Sequence, residues 1–63
     1  MKLMKTMHMM GFRVNDTTIH HINIYTDQGE DEGFAIILAR KRLERMGYVV
    51  NELVTYKSKD VEV

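Results

Sequence analysis

The segment EDEGFAIILARKRLERMG, Glu30 to Gly47, sets the terms for what this chain can fold into. At about 100° per residue, Ala35, Ile36, Leu38, Ala39, Leu43 and Met46 gather on one arc of an α-helix, and that arc is the face to bury. Ala35 and Ala39 are small, so the helix backbone can approach a sheet closely. Arg42 interrupts the arc and is expected to lay its stem on apolar surface while its guanidinium stays in water. Arg40, Lys41 and Glu44 hold the opposite side together with Ile37, which makes Ile37 a candidate contact residue.

The helix ends carry their own signals. Asp27-x-x-Glu30 is a candidate capping box, with an alternative start at Asp31 because Gly33 weakens the first turn. Glu30, Asp31 and Glu32 sit where the positive end of the helix dipole favours anions. Arg40, Lys41, Arg42 and Arg45 crowd the negative end. Gly47 is placed to stop the helix in a left-handed conformation, with Tyr48 packing back on the last turn.

Outside the helix the chain reads as strand. Lys5 to Val14 and Thr17 to Thr26 are rich in β-formers and meet at Asn15-Asp16, turn residues that tolerate positive φ. The spacing of Met1, Met4, Met7 and Met10 would also suit a short helix, but a hairpin accounts for more of the sequence. A two-residue turn would pair Val14 with Thr17. It would place Met7, Met9, Ile22 and Ile24 under the helix, beside Gly11 and His20. The other side would then show His8, Met10, Phe12, Ile19, His21 and Tyr25. A slip of one residue would exchange the faces of one strand.

The third strand is expected over YVVNELVTY, Tyr48 to Tyr56, with residues 57–63 as a frayed tail. A right-handed crossover through the helix places this strand beside the first and antiparallel to it. The expected fold is α+β: β-β-α-β, a three-stranded antiparallel sheet with one helix packed on one face. Residues 1–63 form a single small domain. One helix shelters one side of a sheet, so the other side is expected to expose Met10, Phe12, Ile19 and Tyr25 as an interaction surface.

Composition narrows the function. A chain of 63 residues has a thin core and gains from oligomerisation. It has no Cys, which removes disulfides and thiolate metal sites and fits a reducing cytoplasm. Nine basic residues balance nine acidic ones, so a general nucleic-acid binder driven by net positive charge is disfavoured. MKLMKTMHMM is not a convincing signal peptide, because Lys2 and Lys5 break its apolar run. No stretch approaches the ~20 apolar residues of a membrane span.

The chemistry of sites is thin. His20 and His21 point to opposite faces of one strand, and His8 with His21 would supply two ligands where zinc takes three or four. The Asp27-x-Gly29-x-Asp31 spacing lacks a calcium loop's closing carboxylate, since Leu38 stands there. Ser58 is the single serine, and activated nucleophiles are otherwise scarce. No enzyme activity, metal or cofactor is expected. A sheet face with Phe12, Tyr25 and Tyr56 flanked by Lys5, Arg13 and Lys57 would also suit unpaired bases, so a small dimeric RNA- or single-strand-binding protein is the alternative.

The strand Ile24-Tyr25, the acidic helix start, Ala35-x-x-x-Ala39 and the closing Gly47-Tyr48-x-Val50 together resemble the small podophage-encoded inhibitors of host RNA polymerase, over about residues 22–54. In that family an acidic strip on the helix and basic residues on the last strand grip the polymerase. The resemblance implies that Glu30, Asp31, Glu32 and Glu44 form the acidic part. It departs at Glu52 and Val54, where the family has basic positions. The expected function is a cytoplasmic, non-enzymatic protein-binding module, a phage-type inhibitor or a homodimer. It would dock on a host complex (RNA polymerase or a defence complex) and act by occlusion. Its candidate contact residues are Met10, Phe12, Ile19, His21, Tyr25, Glu30, Asp31, Glu32, Ile37, Arg40, Lys41 and Glu44.

Overall fold

A computed structural model describes residues 3–62; Met1, Lys2 and Val63, which enter the methionine spacing and the tail discussed above, lie outside the described residues. The order is β1 (Met4–Val14), β2 (Thr18–Asp27), α1 (Glu32–Arg45) and β3 (Val50–Glu62). The strands form one antiparallel sheet in the order β2-β1-β3. The expected α+β fold and strand order are both present. Among the described residues, no helix is long and apolar enough to cross a membrane.

The side of β1 that meets the helix is the reverse of the one expected. Asn15 and Asp16 adopt left-handed backbone, with φ of 52° and 63°, and the Thr17 N–H donates to the Val14 carbonyl at 3.3 Å. Val14 nonetheless pairs with Thr18, not Thr17, so Thr17 is an extra residue in the connection. One added residue reverses the parity of everything upstream. Met10 and Phe12, expected on the open face, are buried beneath α1 at 1% and 0% exposure, together with Val14 and His8. Met7 and Met9, expected in the core, lie on the uncovered side. Ile22 and Ile24 are buried as expected.

β3 fastens this turn. The Asn15 N–H donates to the Val49 carbonyl at 2.8 Å, and the Asn15 side-chain oxygen accepts from the Val49 N–H at 3.0 Å. The Asp16 N–H donates to Asn51 Oδ1 at 2.9 Å. β3 also runs far beyond Tyr56: Lys57 to Glu62 pair with β1 from Met9 back to Met4, so the expected frayed tail is strand. Its alternation of charge with apolar residues masks a solvated edge.

The helix follows its spacing closely. Ala35, Ala39 and Leu43 are fully buried, with Ile36 and Leu38 packed beside them. Asp31 is the N-cap, its side chain accepting from the Gly33 N–H at 3.3 Å. The Asp27–Glu30 capping box does not form, because Asp27 ends β2 and Gly29, at φ 86°, turns the chain. At the far end Gly47 adopts φ 95°. Its N–H donates to the Glu44 carbonyl at 3.0 Å, and the Tyr48 N–H donates to that of Leu43 at 3.2 Å, the double closure that glycine permits. Met46, expected in the buried arc, is 58% exposed because it lies beyond the last helical turn. Arg40, expected on the outer face, is half-buried, with its guanidinium 5.3 Å from the centre of the Phe12 ring.

The reversed parity is open to a direct test. Phe12→Ala should cost about 3–5 kcal/mol through lost transfer and the cavity left behind, and Phe12→Asp should prevent folding. Ile19→Asp, on the open face, should stay within roughly 0.5 kcal/mol of wild type. Urea denaturation followed by circular dichroism separates the two classes; equal tolerance at both positions would contradict the register.

Candidate functional site

α1 covers one side of the sheet, and among the described residues nothing covers the other. Along that bare side β1 contributes Met7, Met9, Gly11 and Arg13, β2 contributes Ile19, His21, Asn23 and Tyr25, and β3 contributes Thr55, Lys57 and Lys59, as the cross-strand pairs dictate. Gly11 sits opposite both His21 and Thr55. A Cβ there would fall 2.6 Å from Thr55 Oγ1 and 3.2 Å from the His21 ring. Its absence lets those two side chains lean over the central strand. The result is a shallow furrow of about 490 Å³ whose walls include Met9, His21, Asn23, Thr55 and Lys57. Two ion pairs frame the face, Lys5 Nζ with Asp27 Oδ1 at 2.9 Å and Arg13 with Glu52.

The candidate residues divide into four places. Ile19, His21 and Tyr25 share the open face, with Ile19 41% and Tyr25 52% exposed. Met10 and Phe12 do not join them; they are core. Glu30, Asp31 and Glu32 gather at the exposed start of α1, where Asp31 also caps the helix. On α1 itself, Ile37, Lys41 and Glu44 face water, and Arg40 leans on Phe12. Met7, Met9, Asn23, Thr55 and Lys57 belong to the open face but were absent from the candidate set. Counting back from Ile19 and His21 with a three-residue connection would have found the β1 members.

His8 and His21, weighed above as a metal pair, point to opposite sides of the sheet. No group of three or more metal-ligating side chains occurs among the described residues. His8 has a different task. It is 2% exposed, with Nδ1 2.7 Å from the Tyr56 hydroxyl and Nε2 2.8 Å from Thr26 Oγ1. The Thr26 hydroxyl donates to the Asp27 carbonyl at 3.2 Å, so its oxygen accepts from His8 Nε2–H. Nδ1 is then the acceptor for the Tyr56 O–H. This relay satisfies both ring nitrogens and ties β3, β1 and β2 together through side chains. Among the described residues, no buried side-chain polar atom lacks a partner.

Comparison with protein-family models, curated proteins and solved structures returns no match to this chain.

The relay has a measurable consequence. Tyr56→Phe removes the donor to a buried ring nitrogen and should destabilise the fold by about 1–3 kcal/mol. Nitrogen NMR of wild-type His8 should find the proton on Nε2. The opposite tautomer would reverse the direction of the relay.

Proposed function

We propose that the protein is a non-enzymatic binding module that docks on a larger protein complex through its uncovered sheet face and acts by occlusion. One observation supports this reading above the rest. Among the described residues, nothing covers a full side of the sheet, and that side carries apolar anchors (Met7, Met9, Ile19 and Tyr25) around a furrow at Gly11. Apolar side chains ringed by polar ones, with a concavity between them, match the make-up of protein-docking patches. Arg13, Glu52, Lys57 and Lys59 at the margin would orient the encounter more than add affinity.

The extent of β3 bears on the target. Lys57 and Lys59 are strand residues on the open face, so the last strand has basic positions after all, although not at residues 52 and 54. They lie outside residues 22–54, which carry the resemblance to the podophage inhibitors of host RNA polymerase, and with the acidic helix start they would supply charges of the kind that family uses. A phage-type inhibitor of RNA polymerase, or of a defence complex of similar size, is therefore the specific form of the proposal. The alternative of a dimeric single-strand binder has less support than the sequence alone offered. Phe12 is core, which leaves Tyr25 as the aromatic ring exposed on that face for base stacking.

The test uses the tagged full chain against bacterial lysate, with and without nuclease, and against purified RNA polymerase. Capture of a defined complex should survive nuclease and be lost in a Met9→Asp, Ile19→Asp double variant that still folds. Capture that disappears with nuclease and falls steeply with salt would identify the nucleic-acid alternative. Unchanged capture by the double variant would eliminate the open face.

A further inference from the structure

The two outer edges of the sheet are unlike. β3 carries Lys57, Lys59, Asp60 and Glu62, and its pairing with β1 is twice broken by register shifts. Charges and irregularities of this kind discourage a further strand from adding to an edge. β2 has neither device. From Thr18 to Thr26 it contains no Lys, Arg, Asp, Glu, Pro or Gly, and it pairs with β1 in one unbroken register from Thr18 to Asp27. Its outward amides and carbonyls form an unbroken template with no Lys, Arg, Asp or Glu between Thr18 and Thr26.

A groove runs beside that edge. Ile24 and Tyr25 point to opposite sides of β2, yet both line one depression of about 190 Å³ with Leu38, Lys41, Arg42 and Arg45 of α1. β2 is an outer strand of the sheet, so the depression lies along its edge. Leu38 and Ile24 give the groove an apolar floor, and the three cations form its rim. None of the three is paired with a carboxylate among the described residues.

We propose that the outer edge of β2 takes an extended acidic segment of a partner protein, which adds as a fourth strand. Alternation along such a strand fixes its chemistry. Carboxylates would project on the helix side toward Lys41, Arg42 and Arg45, and apolar residues on the open side beside Ile19 and Tyr25. This surface adjoins the open face around Gly11 and shares Ile19 and Tyr25 with it. A second copy is the poorer occupant. Pairing β2 with its twin about a two-fold axis puts both helices on one side and brings the two basic rims together at the seam. A nucleic acid is also poorer, because the carbonyls of the edge match peptide amides and repel phosphates.

The experiment titrates the full chain with a blocked heptapeptide of alternating Glu and Val. The controls are the same peptide N-methylated at alternate amides and a twelve-nucleotide oligo-dT. The plain peptide should bind and slow amide exchange in β2, while the N-methylated form, with identical charge, should not bind. A combined Lys41→Gln, Arg42→Gln, Arg45→Gln variant with an unchanged circular dichroism spectrum should lose about tenfold in affinity or more. Equal binding of the N-methylated peptide, or no binding of either, would overturn the proposal. So would displacement of the peptide by oligo-dT, or β2 amides already protected in a dimer without peptide.

Discussion

The left-handed pair Asn15-Asp16, followed by one surplus residue, governs this molecule. It decides that His8, Met10, Phe12 and Val14 turn toward α1 while Met7, Met9 and Gly11 turn away. The geometry is held from outside the hairpin: Val49 and Asn51 bond to the turn backbone and to the Asn15 side chain. The start of β3 therefore stabilises a connection made more than thirty residues earlier, and the faces of the whole sheet follow from that clamp.

The covered side is graded along its length. Near the hairpin it is apolar, with Phe12, Val14, Ala39 and Leu43 at 0% exposure. Farther along it becomes polar but satisfied, through the Tyr56–His8–Thr26 relay. Past the helix it is open to water, where the Thr6 hydroxyl bonds Asp60 at 2.9 Å. The molecule extends 43 Å in its long direction, whereas a helix of 14 residues reaches about 21 Å. The helix cannot cover the full sheet, and the sequence turns hydrophilic where the cover stops.

Much of this was legible in the residues. The helix was clear because Ala35, Ala39 and Leu43 repeat at its period, and its stop was clear because Gly47 has few other uses there. Strand order followed from the handedness of the crossover. The face of β1 was not legible, because β1 has apolar residues at both parities: Met7 and Met9 on one side, Met10, Phe12 and Val14 on the other. Only the length of the turn separates the two solutions, and Thr17 suits either. The reach of β3 was hidden for another reason. Lys57 to Glu62 have the composition of a solvated tail, and nothing local reveals that β1 supplies a partner for each of them. Of the contact residues, Ile19, His21 and Tyr25 stayed together because β2 alternates cleanly; Met10 and Phe12 moved with the strand that had been misphased.

The pairing of Met4 with Glu62 bears on how the chain acquires its shape during synthesis. The hairpin and helix lie early in the sequence, so they can form while β3 is still being made. Until then β1 has a bare edge and the tyrosine of the relay is missing. Contacts of such long sequence separation slow folding, and an unpaired strand is the surface on which nascent chains stick to one another. The final fold thus has its most vulnerable moment just before β3 arrives, and the abundance of active molecules in a cell would depend on how quickly that strand finds its place.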